Sequence, residues 1–132
     1  MKILVEDDIR DAVVRCKPSK IAVAYISADW KMFIDDVPYL EAIIVSPTFG
    51  SNPWAISDLV KHIGWEKIFF LDELHAKTYV GGKSAVSGSA NLTRNGLGAD
   101  GLVELCVEVN GNRSLSKLNA CLLYTSPSPR DS

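Results

Sequence analysis

The sequence lacks long apolar runs, and its few cysteines follow no regular spacing. Its longest apolar run spans Ile21 to Ile26, far short of the roughly 18 residues that a membrane helix needs. The acidic residues 6–8 interrupt any signal peptide near the N terminus. Three cysteines without a CxxC motif or metal-ligand spacing indicate neither a disulfide framework nor a zinc site. We therefore expect a cytoplasmic protein with no membrane contact, no metal and no cofactor.

The chain also lacks an excess of basic charge. Its formal net charge of −2 provides no overall attraction to nucleic acid, because non-specific binding depends on neutralising phosphates. Any contact with DNA would require a local basic patch. A content of 47% hydrophobic and 23% charged residues is typical of one globular domain.

The C-terminal residues 121–131 read CLLYTSPSPRD, a string that a transposase-type sequencing adapter can encode in full. We therefore expect one domain over residues 1–120, truncated at its C-terminal end, followed by a non-native tail over residues 121–132. A natural disordered tail rich in serine and proline is the alternative.

Hydrophobic periodicity predicts helices alternating with buried strands. Apolar residues between Ile9 and Cys16 recur at helical spacing. A second helix is predicted from the cap Asn52 to Gly64, with Pro53 at its first position. A short helix is expected within residues 28–34, and buried strands are predicted over residues 20–26, 40–46, 67–72 and 102–109. This order indicates an α/β fold with a mixed β-sheet flanked by helices.

A hairpin interrupts this alternation. The paired glycines Gly81 and Gly82 predict a two-residue type I′ turn that joins residues 75–80 to residues 83–88. Side chains alternate along a strand, so His75 and Lys77 should project from one face. Ser89 follows on the second strand.

The residues at the open end of this hairpin suit a phosphate group. Lys77 offers a point charge, while Ser89 and Asn91 offer a hydroxyl and an amide. His75 can attack phosphorus or transfer a proton near neutral pH.

The segments HAK at 75–77 and GSAN at 88–91 together resemble the phospholipase D superfamily motif H-x-K-x4-D-x6-G-S-x-N. The following LTRNGL strengthens the likeness. Two departures occur: Gly82 stands where the family has aspartate, and five residues rather than six then precede Gly88. A tightened hairpin would explain both, and the family's aspartate is mainly supportive.

The resemblance implies a phospholipase D-like half and a two-step, metal-independent phosphodiesterase reaction. His75 would form a phosphohistidine, with Lys77, Ser89 and Asn91 around the phosphate. A family glutamate holds the histidine ring, and Glu104 is the best match for it, with Glu108 as the runner-up. Lys83 and Arg94 could add a basic rim that contacts the substrate.

One chain carries one motif, since His62 has no lysine two residues later. The second copy would come from a homodimer partner or from missing C-terminal sequence. A nuclease acting on DNA is the first hypothesis, with other phosphodiesters, lipids included, left open. The missing aspartate motivates the alternative of a non-catalytic phosphate-polymer-binding or dimerisation module of a larger protein. A fragment unable to fold alone is a third reading.

Overall fold

The structure, a computed structural model, describes residues 1–5, 7–34, 40–46, 52–71, 74, 77–93, 97 and 104–125. For residues 119 and 121–125 it describes the backbone alone. Within this part of the chain, seven strands form one mixed sheet accompanied by three α-helices. The predicted α/β class is confirmed.

The strands and helices follow one another in mixed order along the chain. The strands are β1 (Lys2–Val5), β2 (Lys20–Val23), β3 (Ala42–Val45), β4 (Ile68–Phe70), β5 (Thr78–Val80), β6 (Ala85–Gly88) and β7 (Leu105–Val109). The helices are α1 (Asp7–Cys16), α2 (Pro53–Ile63) and α3 (Asn112–Thr125), with short 3-10 helices at Trp30–Met32 and Trp65–Lys67.

The sheet has a parallel half and an antiparallel half. Its strand order is β1-β7-β6-β5-β2-β3-β4. Strands β2, β3 and β4 are parallel, and α2 forms part of the crossover from β3 to β4, as parallel neighbours require. The other pairs are antiparallel. The β5–β6 hairpin therefore lies inside the sheet.

Both predicted long helices form, for the reasons that the sequence suggests. The α1 stripe of Ile9, Ala12, Val13 and Cys16 is buried. In α2, the Asn52 Oδ1 accepts a hydrogen bond of 2.8 Å from the Trp54 backbone N–H, which satisfies one of the unpaired donors of the first turn. The helix ends at Gly64, whose φ of 88° suits glycine.

The two faces of the sheet are covered unequally. Helices α1 and α2 pack on one face and share the main core with buried residues of every strand. On the other face, Leu115 of α3 packs in a small cluster with Val80 and Ala85. Beyond that cluster, Ile3, Val5 and Leu105 of β1 and β7 are 69%, 44% and 57% exposed. We call these three residues the apolar patch.

Four features differ from the sequence predictions. The observed strands are shorter than predicted, and β1 and α3 were not predicted. The expected short helix around residues 28–34 is a single 3-10 turn. Helix α3 extends past residue 120 to Thr125, and the domain boundary there stays a prediction. No helix in the described residues is long and apolar enough to cross a membrane.

The predicted type I′ turn is wrong. A type I′ turn needs positive φ at both Gly81 and Gly82. Both glycines are described, and neither has positive φ; among the described glycines, Gly64 does. The loop instead spans residues 81–84, closed by a 2.9 Å hydrogen bond from the Gly81 N–H to the Ser84 carbonyl. A Cβ on Gly81 would lie 1.9 Å from the carbonyl oxygen of Cys16. Close packing against the end of α1 therefore explains Gly81.

Candidate functional site

Three predicted site residues gather at one end of the β5–β6 hairpin, which we call the motif end. Lys77 immediately precedes β5, while Ser89 and Asn91 follow β6. The Gly88 N–H donates to the Lys77 carbonyl at 3.1 Å, which extends the hairpin pairing to Lys77. An ammonium, a hydroxyl and an amide are thus brought to one region by the strand register.

Gly88 allows β6 to approach β7 closely at this end. A Cβ there would lie 2.3 Å from the Leu105 carbonyl oxygen and 2.6 Å from the Cys106 Cα. Contacts this short exclude any side chain unless the strands separate. Gly88 therefore permits a close backbone approach, and the neighbour is β7.

Ser89 is anchored to the start of β7 through three groups. Its N–H donates to the Leu105 carbonyl at 3.1 Å, and its Oγ accepts from the Leu105 N–H at 2.9 Å. The hydroxyl also contacts the Glu104 Oε2 and the Leu105 carbonyl. The carboxylate is the stronger acceptor for its single proton, because a hydrogen bond to a charged group is stronger.

The contact between Ser89 and Glu104 was not anticipated from the sequence. Glu104 was expected to hold the ring of His75, and in the structure its carboxylate accepts a hydrogen bond from Ser89. The alternating pattern of β7 gave no sign of this pairing, because it depends on how β6 and β7 approach each other at Gly88. The predicted role of Glu104 toward His75 stays a prediction.

Asn91 connects the motif end to the segment that follows β2. Its Oδ1 accepts a 3.0 Å hydrogen bond from the Tyr25 N–H. The adjacent Leu92 forms a parallel bridge with Ile26. With its oxygen used this way, the amide NH2 is the part of Asn91 that can donate to an anion.

Tyr79 supports the same segment from within the core. Its fully buried hydroxyl donates to the Ala90 carbonyl at 2.9 Å. Burial raises the pKa of Tyr79 well above its usual value, so the phenol stays neutral and remains a donor. Sequence reasoning missed this residue, although its position two residues after Lys77 was a usable signal.

Three predicted site residues remain, and the structure describes one of them, Lys83. His75 and Arg94 lie outside the described residues. Lys83 lies in the turn at the other end of the hairpin. Four residue steps of about 3.3 Å, or roughly 13 Å of strand, separate Lys77 from the start of that turn. Its contact with the same substrate group as Lys77 stays a prediction.

Two other titratable side chains, one of them the alternative candidate Glu108, have structural partners elsewhere. Glu108, the second candidate for holding the histidine ring, forms an ion pair of 2.9 Å with Arg15 of α1. His62 places its Nδ1 2.7 Å from the Asp58 carbonyl and packs edge-on against Trp30. Neither set of contacts indicates a catalytic role.

The described residues offer no obvious metal site. Among them, no group of three or more histidine, cysteine, aspartate or glutamate side chains could hold a metal ion. Cys16 and Cys106 are free and buried, and burial raises the pKa of both thiols, that of Cys16 to about 12. Both therefore stay protonated at neutral pH and act as small apolar side chains.

No family model and no curated protein matches the sequence, but several solved structures are similar to it. NucT from Helicobacter pylori is similar with a TM-score of 0.65 at 14% identity, covering 96% of this chain and 97% of that one. Nuc from Salmonella typhimurium, a phospholipase D family member, has a TM-score of 0.62 at 13% identity, covering 96% and 97%.

A third similar structure is TrmBL2, an archaeal chromatin protein described as having a novel mode of DNA binding. Its TM-score is 0.56 at 11% identity, covering 94% of this chain and 51% of that one. Identities this low show the fold alone. The chain therefore has a phospholipase D-like fold, as the motif predicted.

Proposed function

We propose that this chain is one half of a phospholipase D-like phosphodiesterase that cleaves nucleic acid, with His75 as its nucleophile. The observation that carries the proposal is the meeting of Lys77, Ser89 and Asn91 at one hairpin end. These residues belong to two separated sequence segments, HAK and GSAN. Their meeting in a fold shared with Nuc, a phospholipase D family member, is hard to explain by packing needs alone.

His75 is close to this group by covalent connectivity. Two residues span at most about 7 Å of chain, so the His75 Cα lies within that distance of the Lys77 Cα. In the proposed reaction an imidazole nitrogen forms a bond to phosphorus while the bond to the leaving oxygen breaks. A second histidine protonates that oxygen, and water then cleaves the phosphorus–nitrogen bond.

The other site residues act on the charge of the phosphate. The Lys77 ammonium offsets the negative charge that develops on the phosphoryl oxygens. The Asn91 NH2 donates a hydrogen bond, since its oxygen already accepts from Tyr25. Ser89 is held by β7 and Glu104, and its hydroxyl would donate to the phosphate once its one proton turns away from Glu104.

A second copy of the chain supplies the second histidine in this proposal. The apolar patch supports a homodimer, because exposed apolar side chains grouped at a sheet edge are typical of protein contacts. The patch is also near the site, since Leu105 bonds directly to Ser89. The alternative source of the second motif is sequence beyond this chain.

Nucleic acid is the proposed substrate because of the structural neighbours. TrmBL2 is an archaeal chromatin protein with a novel mode of DNA binding, and Nuc is a phospholipase D family member, a family whose motif suits a phosphodiester. We expect the protein to act in the cytoplasm.

A comparison of the two histidines tests the function. With chelator present, the wild type should hydrolyse bis(p-nitrophenyl) phosphate and form a phospho-adduct visible by intact-mass spectrometry. The His62→Ala variant serves as a matched control and should behave like the wild type, whereas His75→Ala should do neither. Retained hydrolysis by a folded His75→Ala protein would falsify the assignment.

A substitution on the apolar patch tests the dimer. Ile3→Glu places a charge on a side chain that is 69% exposed and distant in sequence from the motif, so the chain should fold and fail to pair. Sedimentation should then give a monomer with little hydrolytic activity. The control Met32→Glu changes a comparably exposed apolar residue (63%) and should stay dimeric. A fully active Ile3→Glu monomer would rule out the need for a partner.

A non-catalytic phosphate-polymer-binding module is the second candidate function. It is favoured by the position of Gly82, which stands where the family has aspartate and lies in the turn away from Lys77. The similarity to a chromatin protein points the same way. Nucleic-acid binding by a folded dimer that never forms a phospho-adduct would select this function.

A further inference from the structure

Lysines from three separate elements gather at the end of the β5–β6 hairpin that lies opposite the motif end. Lys83 lies in the 81–84 loop, Lys17 directly follows α1, and Lys2 is in β1. All three are exposed. We call this group the turn-end lysines.

Close backbone packing brings Lys17 to the hairpin loop. The Cys16 carbonyl is so near Gly81 that a Cβ there would lie 1.9 Å from it, and the Lys17 carbonyl oxygen would be 3.3 Å away. The Ser19 N–H also donates to the Val80 carbonyl at 2.9 Å. The end of α1 and the hairpin loop therefore form one surface.

Strand register brings Lys2 to the same end of the sheet. Lys2 lies opposite Glu108, and Glu108 lies opposite Val86, one residue from the start of β6. Two strand spacings of about 4.8 Å separate β1 from β6, so Lys2 and the hairpin are roughly 10 Å apart. Successive phosphates on one strand of duplex DNA rise by about 3.4 Å along the axis and also turn around it, so two lysines roughly 10 Å apart can contact different phosphates.

The surface around these lysines also contains carboxylates. One belongs to Glu41, which is exposed and whose backbone N–H donates to the Ser19 carbonyl at 2.7 Å. Within the described residues, no carboxylate lies within ion-pair distance of Lys2, Lys17 or Lys83. The nearby Glu108 is occupied by Arg15 at 2.9 Å. The first turn of α1, by contrast, carries Asp7 and Asp8. A chain of net charge −2 thus presents a local basic surface, as DNA contact would require.

We infer that the turn-end lysines form a second nucleic-acid contact, separate from the motif end, that binds the phosphate backbone of a duplex. The choice of nucleic acid rests on the proposed function. A duplex is favoured because the exposed aromatic side chains of the described residues, Tyr25, Trp54 and Trp65, lie outside this group. Binding of unpaired bases would use such aromatic platforms.

Equilibrium binding of a duplex oligonucleotide of about 20 base pairs tests this contact. All proteins carry His75→Ala, so that cleavage does not interfere and failure of the catalytic proposal leaves the result readable. The test variant is Lys2→Gln/Lys83→Gln. The matched control, Arg10→Gln/Lys31→Gln, removes two positive charges that already have carboxylate partners in Asp11 and Asp58.

The test variant should bind the duplex at least tenfold more weakly than its parent at 0.1 M salt, since each lost phosphate contact weakens binding by up to about eightfold there. The slope of log K against log salt should fall by about 2. The control should change little. Lys17→Gln alone should show about half the change in slope and serves as an independent second variant.

Two outcomes would overturn the inference. One is equal weakening by the test and control variants, which would mean that overall charge alone matters. The other is unchanged duplex binding by the test variant. If that variant instead loses binding to phosphatidylserine vesicles, the lysines bind an anionic membrane.

Discussion

The two ends of the β5–β6 hairpin are fixed by different sets of contacts. At the motif end, side chains hold the chain: Ser89 bonds to Glu104, and Asn91 accepts from the Tyr25 backbone. At the turn end, the backbone itself is in contact, with Gly81 against the carbonyl of Cys16. Close backbone packing at a glycine is therefore common to both ends, through Gly88 and Gly81, and polar side-chain contacts are added at the motif end.

This difference separates function from stability along one short element. Substitutions of polar groups at the motif end should mainly change activity, because those groups are partly exposed and can be replaced without overpacking. Substitutions at Gly81 should mainly change stability, because any added atom meets backbone. Three experiments, in order of decreasing effect, test this separation.

The largest effect is expected for Lys77→Met, which removes the charge at the motif end and keeps the length of the side chain. The rate of phosphodiester hydrolysis should fall by about 100- to 1000-fold, or roughly 3–4 kcal/mol of transition-state stabilisation. Steady-state kinetics would measure it, with Lys61→Met in α2 as the exposed control. If the free energy of unfolding fell by as much as the transition-state stabilisation, Lys77 would act through stability, and function and stability would not be separate at this end.

Gly81→Ala should destabilise the fold by about 3 kcal/mol, because its Cβ would overlap the Cys16 carbonyl. The matched control is Gly82→Ala, whose Cβ would meet nothing within 4 Å. That variant should be neutral or stabilised by about 0.5 kcal/mol. Urea unfolding of both proteins would measure the difference, and equal stabilities would show that the contact relaxes easily.

The smallest effect, between about pH 8 and pH 10, concerns the pH dependence of stability through Cys16. Burial, followed by the charge of Glu108, raises its thiol pKa from 9.0 to about 12. The contribution of the Cys16 thiol to stability is therefore fully present below pH 9.0 and is lost as pH rises toward 12. The reason is that the thiol ionises at lower pH in the unfolded chain than in the folded protein. Unfolding free energies at pH 8 and above should decline less steeply for Cys16→Ala than for the wild type. If the unfolding free energies of the two proteins declined in parallel, other groups would cause the loss of stability at alkaline pH.

The sequence predicts those parts of the fold that local pattern controls. Helix α2 is predicted with its cap, Asn52, and its end, Gly64, because both signals are local. Strand β1 was not predicted, since four residues with exposed Lys2 and Ile3 gain their structure only by pairing with β7. Helix α3 was missed because its last residues were assigned to a tail.

The sequence predicted three residues that meet at the motif end, but it did not predict their contacts. Lys77, Ser89 and Asn91 were found from motif spacing, and the structure brings them together. The bond from Ser89 to Glu104 and the support of Ala90 by Tyr79 depend on strand approach, which spacing does not encode. The turn-end lysines come from elements far apart in sequence, so no local pattern reveals them.

The pairing of β1 with β7 has a consequence for synthesis of the chain. Ile3 lies opposite Val107, so β1 is synthesised well before β7, the strand that it pairs with. Until then the apolar side of β1 has no sheet to join. During translation β1 is thus an unpaired strand that a chaperone can hold, and this part of the sheet closes in a late, long-range step.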